Sequence, residues 1–344
     1  MWPYLTRMAT PHPLSAPLTF APRLKHYMWG GRRLADLLGR DVPDGVVAES
    51  WEVSGHASEP SVVDRGPLAG RDLPGLVAEY GVSLVGARGR EAAERGVFPL
   101  LVKLLDATHA LSVQVHPDNE YAAAHNLGEP GKTEMWYVLH AEKGARIIHG
   151  LHAGIDRAAL RRAVSRGTVP DCLNRVPVEA GNAILVPAGT VHGILSGIVL
   201  VEIQQCSDTT YRIHDWDRPG PDGKPRQLHV ERALDVVDFA GAAPAPTAPR
   251  LVHEGRGVTR EVLAECEHFV VERVGVDAGC DFEALLDGET CEVWGILSGA
   301  ATLEGGWGGA LPLRSVGFAL LPATMGRFRV RAGEDVVALR AYLP

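Results

Sequence analysis

The chain has 344 residues, more than one small domain needs and enough for two modest ones. Its formal net charge of −8 offers no basic surface for nucleic acid or an anionic membrane, and no run approaches the ~20 apolar residues of a membrane span. Thirty-nine Gly and 24 Pro, spread between short apolar runs, point to many turns and a mainly β architecture.

Pro interrupts the N-terminal stretch where a signal peptide needs an unbroken apolar core, so residues 1–16 read as a loose leader. Residues 18–35 hold a short strand and then the cluster Tyr27, Trp29, Gly30, Gly31. Residues 48–64 read as strand, loop and strand, with Glu49, Trp51 and Val53 on one face. Residues 71–95 change to helical spacing, enough for one or two helices. Residues 98–116 read as two buried strands joined by a short turn. The second places Leu111, Val113 and Val115 on one face and Ser112, Gln114 and His116 on the other. Residues 118–125 form a short helix capped by Asp118, and a strand runs over 134–139.

Residues 155–175 read as helix, break and short helix. Residues 176–204 read as three strands separated by turns at Ala180-Gly181 and Ala188-Gly189. The stretch after them, through His229, is polar and loop-rich, with Asp208 and Asp215 as loop ties. Residues 241–250 form a Pro/Ala linker. The expected organisation is a catalytic, metal-binding domain with helical insertions over 17–240 and a second, metal-free β-barrel over 251–344. An internal echo suggests that the two are related: EMWYVL at 134–139 matches EVWGIL at 292–297, and AILVPA at 183–188 matches FALLPA at 318–323. The second copy has no Gln-x-His and no histidine after its Pro-Ala turn.

Four side chains suit one metal site. Gln114 and His116 share a strand face, Glu134 opens the next long strand, and His192 follows the tight turn of a G-x5-P-x-G-x2-H segment. In a small antiparallel barrel all four can face inward. Two imidazoles, a carboxylate and an amide oxygen suit one Zn²⁺ per chain, and Mn²⁺, Fe²⁺ or Co²⁺ equally by donor type. Basic residues are mostly Arg; Lys25, Lys103, Lys132, Lys143 and Lys224 are the five lysines, so one inside a strand stands out. Trp29 and Trp136 read as core rather than as a sugar platform. Cys172, Cys206, Cys266, Cys280 and Cys291 are dispersed without a CxxC pair, which suits reduced thiols in a cytoplasmic protein.

The Pro187-Ala-Gly-Thr-Val-His192 turn resembles the second metal motif of the cupin superfamily. The ordered set LLVKLLDA, LSVQVHPD, GKTEMWYVL, VPAGTVHGI and SDTTYRIHDWDR resembles the type I mannose-6-phosphate isomerases in their short bacterial form. The likeness runs from about Phe20 to His229 and more weakly beyond. Longer members carry Asn-His-Lys-Pro-Glu where this chain has Gly131-Lys132-Thr133-Glu134, so no role of a histidine before that lysine transfers. The resemblance implies two cupin-like jelly-roll barrels and a zinc-dependent interconversion of mannose 6-phosphate and fructose 6-phosphate. It implies Gln114, His116, Glu134 and His192 as ligands and Arg212 as an active-site arginine in its polar loop. Lys103, Ser112 and Lys132 fall beside the substrate, with Lys132 favoured as proton shuttle. Which of Arg212, Lys103 and Lys132 hold the phosphate stays open. The implied partner is a small sugar phosphate, and the chain is expected as a monomer or weak homo-oligomer.

Two other readings compete. An Fe²⁺ cupin oxygenase more often shows His-x-His where this chain has Gln-x-His. A sugar-phosphate sensor without turnover would need less than the retained Lys132 and Arg212.

Overall fold

Two stretches that are apolar on both faces, LLVKLLDA and IVLVEIQQ, become neighbouring central strands buried along their whole length. In the computed structural model, which describes residues 12–220, 223–241, 246–305 and 309–344, the rest of the chain is arranged around them.

The chain opens with β1 (Phe20–Ala21), β2 (Arg23–Lys25), β3 (Glu49–Ser54) and β4 (Val62–Val63). Then come β5 (Leu100–Ala107), β6 (Val113–Val115), β7 (Glu134–Ala141), β8 (Arg146–Leu151) and β9 (Leu173–Pro177). The first half ends with β10 (Ala183–Val186), β11 (His192–Ile194), β12 (Ile198–Gln205) and β13 (Tyr211–His214). One sheet has the order β10-β7-β12-β5-β3-β2 and the facing sheet β13-β6-β11-β8-β9. Trp136, Val138 and Leu200 from the first meet Ile147, Val176 and Ile194 from the second in an apolar interior.

The second half contributes β14 (Arg250–Gly255), β15 (Val258–Glu265), β16 (Val270–Val276), β17 (Asp281–Leu286) and β18 (Glu292–Ser298). It continues with β19 (Ala300–Gly305), β20 (Ala310–Arg314), β21 (Phe318–Leu321), β22 (Gly326–Ala332) and β23 (Val336–Tyr342). Its sheets run β14-β15-β16-β23-β18-β21 and β17-β22-β19-β20. Read from β21, the first sheet repeats the order of the first half strand for strand. The echo in sequence is also an echo in register: Val186 lies opposite Glu134 as Leu321 lies opposite Glu292. The fold is mainly β. Among the described residues, the first half alone carries an extra edge strand, β13, beside β6.

The outer faces of the two six-stranded sheets share one core. Val102, Leu104, Met135 and Val201 of the first half join Leu263, Val271, Val293 and Leu320 of the second. The predicted helical stretch 71–95 supplies Leu73, Leu76, Leu84 and Val85 to it, through helices Leu73–Tyr80, Val82–Val85 and Arg90–Glu94 rather than one or two. Gly81 (φ 49°) and Gly86 (φ 94°) separate those pieces, because their backbone cannot continue a right-handed helix. The capped helix is present as Asn119–Ala124, with the Asp118 side chain accepting from Tyr121 N.

Three readings change. Val53 does not share the face of Glu49 and Trp51: a bulge after Trp51 sets Val53 opposite Val102, on the outer core, and Trp51 opposite Lys103, on the inner face. Four strands, not three, occupy 173–205. Arg212 lies on β13, not in a loop. Of the expected leader, Pro13–Ser15 form one 3₁₀ turn with Leu14 buried, and residues 1–11 lie outside the described residues. Of the expected linker, residues 242–245 do too, while Thr247 N donates to Ala183 O at 2.7 Å.

The interior of the second half is closed by aromatic and charged packing. Phe282, Trp294 and Phe328 cluster with centroids 5.0–6.2 Å apart. Arg340, which occupies on β23 the place Glu202 holds on β12, is bracketed by Glu292 and by Glu272 at 3.3 Å. Both carboxylates are buried, so an Arg340→Ala variant strands Glu292 beside Trp294 Nε1 alone. Removing one partner of a buried pair costs about 3–5 kcal/mol. We expect Arg340→Ala to lower the thermal midpoint by several degrees, read by calorimetry.

Candidate metal centre and substrate cavity

The candidate site sits where β6, β7, β11 and β13 converge at one end of the first half. Strand pairing aligns one row across the five-stranded sheet: Arg212 opposite Gln114, Gln114 opposite His192, and His192 opposite His149. Directly paired residues share a face, and this row faces inward. His116 follows β6 immediately, and Glu134 begins β7 in the facing sheet.

Two glycines set the geometry. Gly189, at φ 84°, turns the chain before His192 and donates its N–H to His116 O at 2.9 Å. Gly131 lies so close to Asp118 that a Cβ would stand 2.5 Å from its carbonyl carbon. Only glycine fits there, and this contact holds Lys132 against the site.

His116, Glu134 and His192 are 0–1 % exposed, and their ligand atoms lie within 4.8 Å of one another. Among the described residues they are the one group of three or more His, Cys, Asp or Glu placed to hold a metal ion. His116 Nε2 is 3.2 Å from Glu134 Oε1, and His192 Nε2 is 3.6 Å from Oε2. Gln114 joins them, its amide 3.4 Å from His192 Nε2. Each imidazole is turned by a backbone carbonyl: His116 Nδ1 donates to Thr209 O and His192 Nδ1 to Thr190 O, both at 2.8 Å. A carbonyl only accepts, so each proton is on Nδ1 and each Nε2 turns its lone pair to the centre, where the nearest nitrogens are Lys132 Nζ and the Gln114 amide at 3.4 Å.

The electrostatics agree. Burial, then Lys132, pushes His116 down to about 3, and burial lowers His192, so both rings are neutral near pH 7. Burial by itself would raise Glu134, but the Lys132 ammonium, the largest opposing influence, helps hold the carboxyl well below its usual range. Lys132 Nζ is 2.9 Å from Glu134 Oε1 and 3.4 Å from His116 Nε2. Neither Glu134 oxygen accepts a directed hydrogen bond. A buried, ionised carboxylate that has Lys132 on one side and faces two neutral imidazoles on the other fits a cation.

A cavity of about 220 Å³ opens beside this cluster. It is lined by Ser112, Gln114, Lys132 and His192 beside the cluster, by Lys103 and Glu202 from the six-stranded sheet, by Arg212 from the facing sheet, and by Arg226 and Asp208. Lys103 Nζ lies 3.2 Å from Glu202 Oε2 and 4.8 Å from the Trp51 ring centroid. Burial, then Glu134, pushes Glu202 up to about 7 against the pull of Lys103. The Arg212 side chain donates to Gln227 O at 2.9 Å, and its buried Nε has no partner. Trp29 and Trp136 are buried in the interior, as expected, and also border the cavity.

All eight residues expected at the site therefore meet around one cavity or the cluster beside it. Glu202, Arg226 and His149 were not anticipated. Glu202 had a signal, a lone carboxylate inside an otherwise apolar strand; Arg226 had none, because a long loop brings it back. Asp215 ties that loop, accepting from Arg218 at 2.6 Å and from Arg226 at 2.5 and 2.7 Å. Asp208 instead borders the cavity.

Comparison with known proteins follows this geometry. Residues 18–145 match the family described as phosphomannose isomerase type I, catalytic domain. A mannose-6-phosphate isomerase of Streptococcus mutans is 43 % identical over 258 residues, 75 % of this chain and 78 % of that protein. The mannose-6-phosphate isomerase ManA of Bacillus subtilis is 40 % identical over 74 % of this chain and 78 % of its own. A crystal structure of the mannose 6-phosphate isomerase from Bacillus subtilis superposes with a TM-score of 0.85 at 30 % identity, covering 96 % of this chain and all of that one.

Proposed function

The chain belongs to the type I phosphomannose isomerases, and from that membership we propose how its own residues divide the interconversion of mannose 6-phosphate and fructose 6-phosphate. The enzyme is metal-dependent, and we assign zinc as the metal, held by His116 Nε2, His192 Nε2, Glu134 and the Gln114 amide oxygen. The observation that carries this reading is the buried Glu134 carboxylate, which accepts no directed hydrogen bond and lies 3.2 and 3.6 Å from the Nε2 atoms of two imidazoles whose Nδ1 protons are turned away. When bound, the metal supplies Lewis acidity that polarises the sugar's carbonyl and hydroxyl oxygens as the cis-enediol forms.

Every other task falls to side chains. Aldose–ketose isomerisation moves one proton between C2 and C1 of the opened sugar. Lys132 Nζ, buried against Glu134 and His116, is the group we assign to carry it. Arg212 keeps its charge through the reaction and stabilises the developing negative oxygen. A phosphate dianion wants two or more charge-assisted donors. Arg226 joins Arg212 to receive it, and Lys103 with Ser112 orients the sugar hydroxyls. Trp51 and Trp136 keep water from the Lys103–Glu202 pair. We assign the protein to the cytoplasm, a reading that its unpaired cysteines support; no helix among the described residues is long and apolar enough to cross a membrane.

Incubating metal-analysed protein with mannose 6-phosphate in deuterated water, with and without a chelator, tests the assignment by NMR. The expected result is fructose 6-phosphate appearing only without chelator, with zinc near one equivalent per chain. No conversion with zinc confirmed bound overturns it and favours a sugar-phosphate sensor.

A further inference from the structure

Glu129 lies in the loop before β7, three residues ahead of Lys132, and none of the chemistry above uses it. Its carboxylate accepts from four donors: His56 Nε2 at 2.8 Å, Asp208 N at 2.9 Å, and Ser207 Oγ and Thr209 Oγ1 at 3.0 Å each. Three of the four belong to the 207–209 loop between β12 and β13. The fourth anchors Glu129 to the segment leaving β3.

That loop serves the site twice. The Thr209 carbonyl takes the His116 Nδ1 proton, and Asp208 borders the cavity. Gln204 Nε2 holds the start of the loop through Ser207 O at 2.7 Å. The backbone and hydroxyl groups of Asp208 and Thr209 are gathered by Glu129. Four donors, one from an imidazole, converge on one half-buried carboxylate, and His56 and the backbone and hydroxyl donors hold its carboxyl down to about 2.

We propose that Glu129 is a positioning residue for the isomerisation. It fixes the 207–209 loop so that the Thr209 carbonyl aims His116 Nε2 at the metal centre and Asp208 stays on the cavity wall. The inference rests on His116 being a ligand. Partners that orient a metal-bound histidine typically contribute 10–100-fold to metal affinity, and here that orientation would be set from one step further out.

The test measures zinc affinity by competition with a chromogenic chelator, the thermal midpoint of the metal-free protein, and kcat and KM at saturating zinc. It uses wild type, Glu129→Ala, Glu129→Gln and Val274→Ala, the last a buried position in the second half that lowers stability far from the site. Glu129→Ala is expected to weaken zinc binding about 10-fold or more and to raise KM. Glu129→Gln, whose amide oxygen still accepts, is expected to fall between it and wild type. Val274→Ala is expected to lower the midpoint without moving zinc affinity or KM. Wild-type zinc affinity and KM in Glu129→Ala overturn the inference whatever the midpoint; if that variant does not fold, the same result in Glu129→Gln does so. Absence of zinc binding in wild type overturns the site assignment and this inference with it.

Discussion

A His192→Ala variant is expected to purify folded, without its metal and without turnover. His192 is 1 % exposed, its Nδ1 is committed to Thr190 O, and its Nε2 faces Glu134 and Gln114. Truncation removes one of two imidazole nitrogens that face Glu134. His149, the next residue across the sheet, has its Nε2 on Leu185 O. The affinity loss should exceed the roughly 10–100-fold that follows removal of an outer partner. Turnover should fall by more than the ~10²–10³-fold that loss of one electrostatic stabiliser costs. The metal-free fold should persist, because the Trp136, Ile194 and Leu200 core behind the ring does not depend on the imidazole. Elemental analysis, circular dichroism and initial rates on one preparation decide it. Full metal with full activity would falsify the ligand assignment.

The candidate ligand cluster was legible in the sequence because its members lie in or next to strands whose pattern has period two. Ser112, Gln114 and His116 alternate with apolar neighbours, and the Pro-Ala-Gly turn before His192 needs its glycine. Where the period slips, sequence reading slips too. Val53 was assigned to the wrong face because nothing in ESWEVS announces the bulge that follows Trp51. The duplication was visible in two six-residue echoes, and strand pairing turns them into equivalent registers. What each half does with its interior was less visible. Glu202 on β12 and Arg340 on β23 occupy corresponding places, yet one faces a cavity with Lys103 and the other is locked between carboxylates. Burial and partner decide that difference, and both are properties of the assembled sheet. Glu129 illustrates the limit: its four donors come from two distant segments, and no local pattern marks the residue on which they converge.

Arg212→Ala is expected to give the opposite pattern from His192→Ala: metal retained within a few-fold, turnover lost. The four candidate ligands come from β6, β7, β11 and the residue after β6, and none needs the guanidinium. Arg212 instead lies on β13, the edge strand that the first half adds to the order both halves share. The stretch YRIH was read as loop because polar residues surround it, but Tyr211 and Ile213 pack outward against the apolar layer under helices Arg157–Arg166 and Val230–Val236. That packing holds the strand without the arginine, so truncation removes charge from the cavity wall rather than the wall itself. Burial, then Arg226, lowers the guanidinium's pKa somewhat, but it remains a cation at any working pH, and this suits charge stabilisation and not proton transfer. Its buried Nε has no partner in the protein, and of its Nη groups Nη1 donates to Gln227 O. A fall of about 10²–10³-fold in kcat, with near-stoichiometric zinc, is the expected outcome. Arg212→Lys should recover little, since a point charge cannot reproduce the planar fork. Loss of zinc from Arg212→Ala would instead assign the residue to holding Gln114 in place across the β6–β13 pairing, and the separation of binding from chemistry on this wall would fall with it.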